Sequence, residues 1–134
     1  MGFEDLGRKQ KRRQPGRRFD RVLLFKVRAR PRAGLTGWLK TLSLEVAGEG
    51  VLVNSVCSGL FDTARLRELF EARARRSGRT PEEERRLAER EIPLGRIGRP
   101  EELGAVVAFL ASERASFLNG VALACDGGAT RGLL

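Results

Sequence analysis

From residue 33 onwards, apolar positions recur with the periods of helices and strands. The first such stretch repeats apolar residues every three or four positions: Leu35, Trp38, Leu39, Leu42 and Val46. This spacing places them on one face of a helix. Gly48 and Gly50 follow, and glycine commonly ends helices. The pattern therefore predicts a helix over residues 33–46.

Capping residues mark the next two helices. Residues 63–76 combine an apolar side with many arginines, and Gly78 follows them. Thr80, Pro81 and Glu83 then have the arrangement of a capping box with proline at the first helical position. These residues predict one helix over 63–76 and a second helix that starts directly after Thr80.

Two short apolar runs, residues 51–57 and 121–125, predict strands. Between them, a helix is predicted from Pro100 onwards, with an apolar face formed by Leu103, Val106, Val107 and Leu110. Both runs are apolar on both faces, as in a parallel sheet that helices cover. The order helix, strand, helices, strand therefore predicts an α/β fold with two parallel strands, half of a doubly wound sheet.

The net charge of +9 lies entirely at the start of the chain. Residues 1–32 carry twelve Lys and Arg and three acids, whereas residues 33–134 carry fourteen of each. High charge with low hydrophobicity predicts disorder for most of residues 1–20, and residues 22–25 are the only strand candidate there. We therefore divide the chain into a basic, largely disordered segment, 1–32, and a partial α/β domain, 33–134. A reading-frame change or misplaced start would produce such a change at residue 33; an evolved basic arm is the alternative.

The composition excludes several kinds of chemistry. The chain has no histidine, and its two cysteines, Cys57 and Cys125, are far apart in sequence. No zinc site and no Ser-His-Asp or Cys-His nucleophile is therefore predicted. The charged N-terminus has no signal-peptide core, and no apolar run reaches the roughly 20 residues that cross a bilayer. These features predict a soluble, cytoplasmic protein without a membrane partner, whose cysteines are buried thiols.

Six stretches occur in the order and spacing of one known family. Residues 32–47 resemble the helix that begins at a Tyr-x-x-x-Lys pair, 50–56 a G-(I/V)-x-V-N-x-V strand, and 58–63 a Pro-Gly-x-x-x-Thr loop. Residues 92–102, 109–112 and 119–128 resemble the segment before the penultimate helix, the end of that helix, and the last strand. Together they resemble the C-terminal part of a short-chain dehydrogenase/reductase, of the kind that includes 3-oxoacyl-[acyl-carrier-protein] reductases.

The resemblance implies the C-terminal part of a Rossmann-like doubly wound parallel sheet. It also implies NAD or NADP as cofactor and a small carbonyl compound as substrate. It assigns contacts with the nicotinamide end of the cofactor to Gly59, to the Phe61 backbone and to Thr63 with its hydroxyl. Thr63 is equally well placed to be the N-cap of the following helix.

The same resemblance implies that important parts of the family's site are missing. The Tyr and Lys positions fall on Arg28 and Arg32, and the chain has no tyrosine. No T-G-x-x-x-G-x-G turn occurs, although such a turn places the cofactor pyrophosphate on a helix N-terminus. We therefore expect no catalytic residue in this chain, no tight binding of NAD or NADP, and no reductase activity by the chain alone.

Three functions remain open from the sequence. The chain is an inactive oxidoreductase fragment, an oligomerisation module that self-associates, or a nucleic-acid-binding protein that uses residues 8–32; the last lacks a recognised motif. Residues 66–91 correspond to the family's substrate lid or form a solvated helical surface. The family topology also predicts that the strands ending at Cys57 and Cys125 are parallel neighbours that carry two reduced, largely buried thiols.

Overall fold

The computed structural model describes residues 21–28 and 33–132, in which three parallel strands form one sheet. The strands, in sheet order, are β1 (Arg21–Arg28), β2 (Val51–Ser58) and β3 (Ala122–Cys125). The helices are α1 (Ala33–Val46), α2 (Ala64–Ser77), α3 (Pro81–Arg90) and α4 (Pro100–Ala111). Short 3-10 turns follow α1 and α4 at Ala47–Glu49 and Glu113–Ala115. The predicted α/β class is confirmed.

The sheet contains one strand more than the two that the apolar pattern predicted. The additional strand, β1, pairs with β2 over its whole length. It lies within the basic segment 1–32 and contains residues 22–25, the strand candidate there. Basic residues at both ends of β1 shorten its apolar run, so its own sequence gives only a weak strand signal. Pairing with the buried strand β2 stabilises it. The disorder predicted for residues 1–20 lies outside the described residues.

Local capping residues set the helix boundaries. Thr63 Oγ1 accepts a hydrogen bond from Leu66 N–H at 3.4 Å at the start of α2, and Gly78 ends that helix with φ +72°. Before α3, Thr80 Oγ1 accepts from Glu83 N–H at 3.2 Å, while Glu83 Oε2 accepts from Thr80 N–H at 2.8 Å. The N-cap and the capping box predicted from the sequence are confirmed.

Strand β2 lies at the centre of the sheet and is buried on both faces. Val53 and Cys57 pack with Leu39 of α1 on one face. Leu52 and Val56 alternate with them along the strand and are also buried, so they occupy the opposite face. Helix α4 contacts β1 and β2. The apolar run in this strand was therefore correctly interpreted as a covered parallel strand.

A second apolar cluster holds the hairpin of α2 and α3. Its buried members are Leu66, Phe70, Ile92 and Ile97, and Ala88 of α3 packs against them. Full burial of such a side chain contributes about 1.5–3 kcal/mol. This cluster packs α3 against α2 and against the segment that precedes α4.

The two cysteines lie on neighbouring strands, as predicted. β2 and β3 pair in parallel, with Cys57 opposite Ala124 and Ser58 opposite Cys125. Paired residues share a face and consecutive residues alternate, so the two thiols point to opposite faces of the sheet. Both are free; Cys57 is buried and Cys125 is half-buried. The register therefore prevents the two side chains from converging on a disulfide.

Two asparagines fasten β2 to the turn that leads into β3. Asn54 is 1% exposed; it accepts from Val121 N–H at 3.0 Å and donates to Leu118 C=O at 3.0 Å. Asn119 makes the reciprocal contacts, accepting from Val53 N–H at 2.9 Å and donating to a carbonyl of α1 at 2.9 Å. These two side chains hydrogen-bond to buried backbone N–H and C=O groups that have no partner in the pairing between strands.

Candidate functional site

The loop over residues 58–63 connects the carboxyl end of β2 to α2. Ligands of open parallel sheets bind beyond the carboxyl ends of the strands. Gly59 N–H donates to Cys125 C=O at 3.0 Å. A Cβ on Gly59 would lie 2.7 Å from Asp126 Cα, closer than atoms can pack. The start of the loop is therefore held directly against the turn that follows β3.

Gly98 binds the loop on both sides of Phe61. Gly98 N–H donates to Leu60 C=O at 3.0 Å, and Asp62 N–H donates to Gly98 C=O at 2.9 Å. Because Phe61 is the bridge residue of this parallel pair, its own N–H and C=O point away from Gly98. Neither group has a hydrogen-bond partner within residues 21–28 and 33–132. The loop thus presents one backbone donor and one backbone acceptor side by side.

The three predicted cofactor contacts share this loop but have different environments. Gly59 packs against Asp126, Phe61 presents its backbone groups, and the Thr63 hydroxyl caps α2. The hydroxyl oxygen accepts the capping bond, so its hydrogen is still available to donate. The role of these residues toward a cofactor stays a prediction. The resemblance predicts the family's Tyr and Lys at Arg28 and Arg32; Arg28 is the last residue of β1, and Arg32 lies outside the described residues.

A cavity of about 250 Å³ adjoins the loop. It lies between the loop, the segment before α4 and the turn after β3, and its lining includes Leu60, Phe61, Leu94, Arg96, Cys125 and Asp126. Phe61 is the only predicted contact residue that lines it. The Phe61 ring lies close over Gly98: a Cβ added at Gly98 would be 2.7 Å from a carbon of that ring.

The charged groups around this cavity are already paired. Arg96 binds Glu102 through two hydrogen bonds of 2.9 and 2.7 Å, and this pairing, with the Arg99 backbone N–H, lowers the pKa of Glu102 to about 2. Asp126 accepts from the backbone N–H groups of Gly128 and Thr130, both at 2.9 Å. Burial raises the pKa of Asp126, but hydrogen bonds from Thr130 and Gly128 outweigh burial and leave it lowered. The cavity therefore offers a ligand mainly apolar contacts.

The described site contains no activated nucleophile among its cysteines. Burial, with a smaller contribution from Asp126, raises the pKa of the Cys57 thiol; burial, Asp126 and Glu102 raise that of Cys125. Both thiols are therefore protonated at neutral pH and react poorly. Within the described ranges, no three His, Cys, Asp or Glu side chains cluster to bind a metal ion, and no helix has the length and hydropathy to cross a membrane.

Three parts of this arrangement were not identified from the sequence. They are the Gly98 bridge to the loop, the reciprocal pair Asn54 and Asn119, and an ion pair between Asp62 and Arg85 at 2.9 Å. Each joins residues far apart in the chain. A polar Asn inside an otherwise apolar strand was the one available signal, because a buried amide needs partners.

Comparisons with known proteins agree with this architecture. A sequence profile described as Enoyl-(Acyl carrier protein) reductase matches residues 25–130. A 3-oxoacyl-[acyl-carrier-protein] reductase of Thermotoga maritima is 38% identical over 100 residues, which are 75% of this chain and 36% of the relative. The chain thus spans about a third of the length of that relative. The profile match begins at residue 25, inside β1 and before the boundary at residue 33 that the motifs indicated.

Solved structures show the same fold. A short-chain dehydrogenase family protein from Francisella tularensis superposes with a TM-score of 0.76 at 30% identity, over 83% of this chain and 51% of that one. L-sorbose reductase from Gluconobacter frateurii, in complex with NADPH and L-sorbose, also gives a TM-score of 0.76, at 26% identity, over 84% and 48% of the chains. Together with the profile match over most of the sequence, these similarities show that the chain belongs to the short-chain dehydrogenase/reductase family.

Proposed function

We propose that this chain forms the nicotinamide-side part of an NAD(P)-dependent ketone or 3-oxoacyl reductase. The observation that carries the proposal is the pair of backbone groups on Phe61, which have no partner within the described residues. A carboxamide has one acceptor oxygen and two N–H donors, so it can bond to both groups at once. The Thr63 hydroxyl has a hydrogen left to donate to the same ligand. A bound nicotinamide supplies or accepts a hydride.

The residues present fit only one end of the cofactor. The loop suits the carboxamide, but the sequence contains no Gly-rich turn for the pyrophosphate. Arg28 stands at the tyrosine position, and a guanidinium that stays protonated cannot pass a proton to a carbonyl oxygen. We therefore expect the 134-residue chain to be inactive by itself. We place it in the cytoplasm, where reducing conditions keep both thiols free.

Binding at Phe61 can be tested by titrating the ¹⁵N-labelled chain with nicotinamide mononucleotide. The amide signals of Phe61 and its neighbours are expected to shift with weak, roughly millimolar affinity. Nicotinic acid mononucleotide is the matched control, because its carboxylate has no N–H to donate to Phe61 C=O. Equal shifts with both ligands, or no shift in the loop with either, would contradict the proposed contact.

Self-association is a second candidate property, because α1 and α4 leave large apolar side chains uncovered. Trp38 of α1 is 56% exposed and Phe109 of α4 is 45% exposed, while Phe117, beyond α4, is fully exposed. Exposed apolar patches often mark interfaces. The nucleic-acid alternative depends on residues 8–32, of which the structure describes only Arg21–Arg28, and it stays a hypothesis.

Trp38→Glu is expected to convert an oligomeric chain to monomer in sedimentation velocity. A charge at the centre of an apolar interface costs several kcal/mol when it is desolvated. The matched control is Leu87→Glu, because Leu87 is a similarly exposed apolar residue, 40% exposed, on α3. A wild-type chain that sediments as a monomer at every concentration tested, or equal effects of both substitutions, would contradict self-association through α1.

A further inference from the structure

Helix α3 is joined to the loop after β2 by charged side chains that converge on Asp62. Arg85 Nη1 of α3 lies 2.9 Å from Asp62 Oδ2, and Arg67 Nε of α2 lies 3.4 Å from Asp62 Oδ1. The Nε of Arg85 also donates to Glu89 Oε1 at 3.0 Å. Each oxygen of one loop carboxylate therefore faces an arginine from a different helix of the hairpin.

The Arg85 side chain is held more firmly than the arginine of an isolated surface ion pair, because two carboxylates bind it. The Arg85 and Asp62 side chains are 38% and 36% exposed. Hydrogen bonds to Asp62 first, and to Glu89 second, raise the pKa of the Arg85 guanidinium. A single exposed pair contributes at most about 1 kcal/mol, because two flexible side chains must be ordered. Here Glu89 already orders the guanidinium, so less freedom is lost when Asp62 binds it.

Asp62 is also fixed through its backbone. Its N–H donates to Gly98 C=O at 2.9 Å, on the side of the loop that supports the Phe61 ring. The same residue therefore links Gly98 through its main chain and α3 through its carboxylate. Phe61 directly precedes it, so a displacement of α3 relative to the sheet changes the position of the Phe61 backbone groups.

We propose that Asp62 and Arg85 form an ionic latch that couples helix α3 to the loop and thereby positions the backbone of Phe61. Asp62 is then a positioning residue: it touches neither cofactor nor substrate. The choice of ligand for Phe61 rests on the proposed function, whereas the coupling between α3 and the loop does not. The latch also gives part of the segment 66–91 a specific task beyond that of a solvated surface.

The apolar cluster beneath the hairpin makes the latch separable from folding. Phe70, Ile92 and Ala88 pack together independently of the charges. Removing the ion pair should therefore loosen the loop without unfolding the domain. This separation allows a local measurement to test the latch.

The test compares amide protection in Asp62→Asn, Arg85→Gln and the double variant. Protection at residues 62 and 98, whose amides donate within the Gly98 bridge, is expected to fall about two- to fivefold, the range for one ion pair. The double variant should lose no more than Asp62→Asn, which by itself removes the contacts with both Arg85 and Arg67. Arg86→Gln is the matched control, since Arg86 is an exposed neighbour on α3 for which no ion pair is seen within the described residues. The amide of Gly120, which donates to Val53 C=O at 2.8 Å, is the reference for global stability.

Salt separates an ionic latch from lost packing. Raising the salt concentration to about 1 M shortens the screening length to about 3 Å, so wild-type protection at residues 62 and 98 should fall to the level of Asp62→Asn. That variant lacks both ion pairs, and its own protection should not change with salt. Arg85→Lys should retain more protection than Arg85→Gln at low salt. Equal effects of Arg85→Gln and Arg86→Gln, a loss that salt does not reproduce, or an equal loss at Gly120 would overturn the latch.

The latch and the proposed ligand can fail separately. If the latch variants loosen the loop but nicotinamide mononucleotide shifts no loop amide in the wild type, the latch stands and the proposed function is wrong. If the nucleotide shifts Phe61 equally in the wild type and in Arg85→Gln, Asp62 does not position this residue, whatever the protection data show.

Discussion

Replacing Asn54 with Leu is expected to lower the free energy of unfolding by about 2–6 kcal/mol. The substitution removes the acceptor of Val121 N–H and the donor to Leu118 C=O, at a position that is 1% exposed. Each backbone group left buried without a partner costs about 1–3 kcal/mol. Chemical denaturation followed by circular dichroism measures the loss.

The control for this substitution is Thr41→Val. It also replaces a polar side chain with an apolar one of similar size, but the lost hydrogen bond, from Thr41 Oγ1 to Gly37 C=O at 3.2 Å, is exposed to solvent. A change within about 0.5 kcal/mol is expected there. A loss below 1 kcal/mol for Asn54→Leu would show that water or backbone movement satisfies the groups that Asn54 now bonds.

Gly59→Ala is expected to destabilise the chain by about 1–3 kcal/mol, the usual cost of overpacking. The new Cβ would lie 2.7 Å from both Cα and Cβ of Asp126. Because one of these atoms is backbone, no rotation of a side chain relieves the contact, and the loop must move away from β3. Thermal or chemical unfolding measures the loss of stability.

Gly104→Ala is the control, and we expect it to change the stability in the opposite direction. Gly104 lies inside α4, and a Cβ there would meet nothing within 4 Å. Alanine in a helix interior is favoured over glycine by up to about 1 kcal/mol, so the variant should be more stable than the wild type. If both glycine variants changed stability in the same direction, the close contact between Gly59 and Asp126 would not determine the result.

Local signals explain why the helices could be predicted from the sequence. Caps such as Thr80 with Glu83 depend on residues a few positions apart, so their meaning is contained in a short segment. The strand β1 could not be recognised with equal certainty because its stability comes from pairing with β2, about 30 residues away in the sequence. Its basic ends resemble the segment before it more than a buried strand.

The candidate site was predictable only in part for the same reason. The resemblance to a Pro-Gly-x-x-x-Thr loop located Gly59, Phe61 and Thr63. It could not show that Gly98 binds the loop on both sides of Phe61, or that Arg85 reaches Asp62. Those contacts depend on how the α2–α3 hairpin packs, and that packing follows from tertiary burial rather than from local pattern.

Calorimetric titration of the chain with NADPH tests the central claim most directly. The claim is that the chain carries the nicotinamide-side loop of a short-chain dehydrogenase/reductase without residues for the cofactor phosphates. A dissociation constant of about 1 mM or weaker is expected, because the loop offers few bonds and the pyrophosphate finds no helix N-terminus behind a Gly-rich turn. A dissociation constant in the micromolar range would contradict it, since affinity of that size requires phosphate contacts that this sequence does not supply.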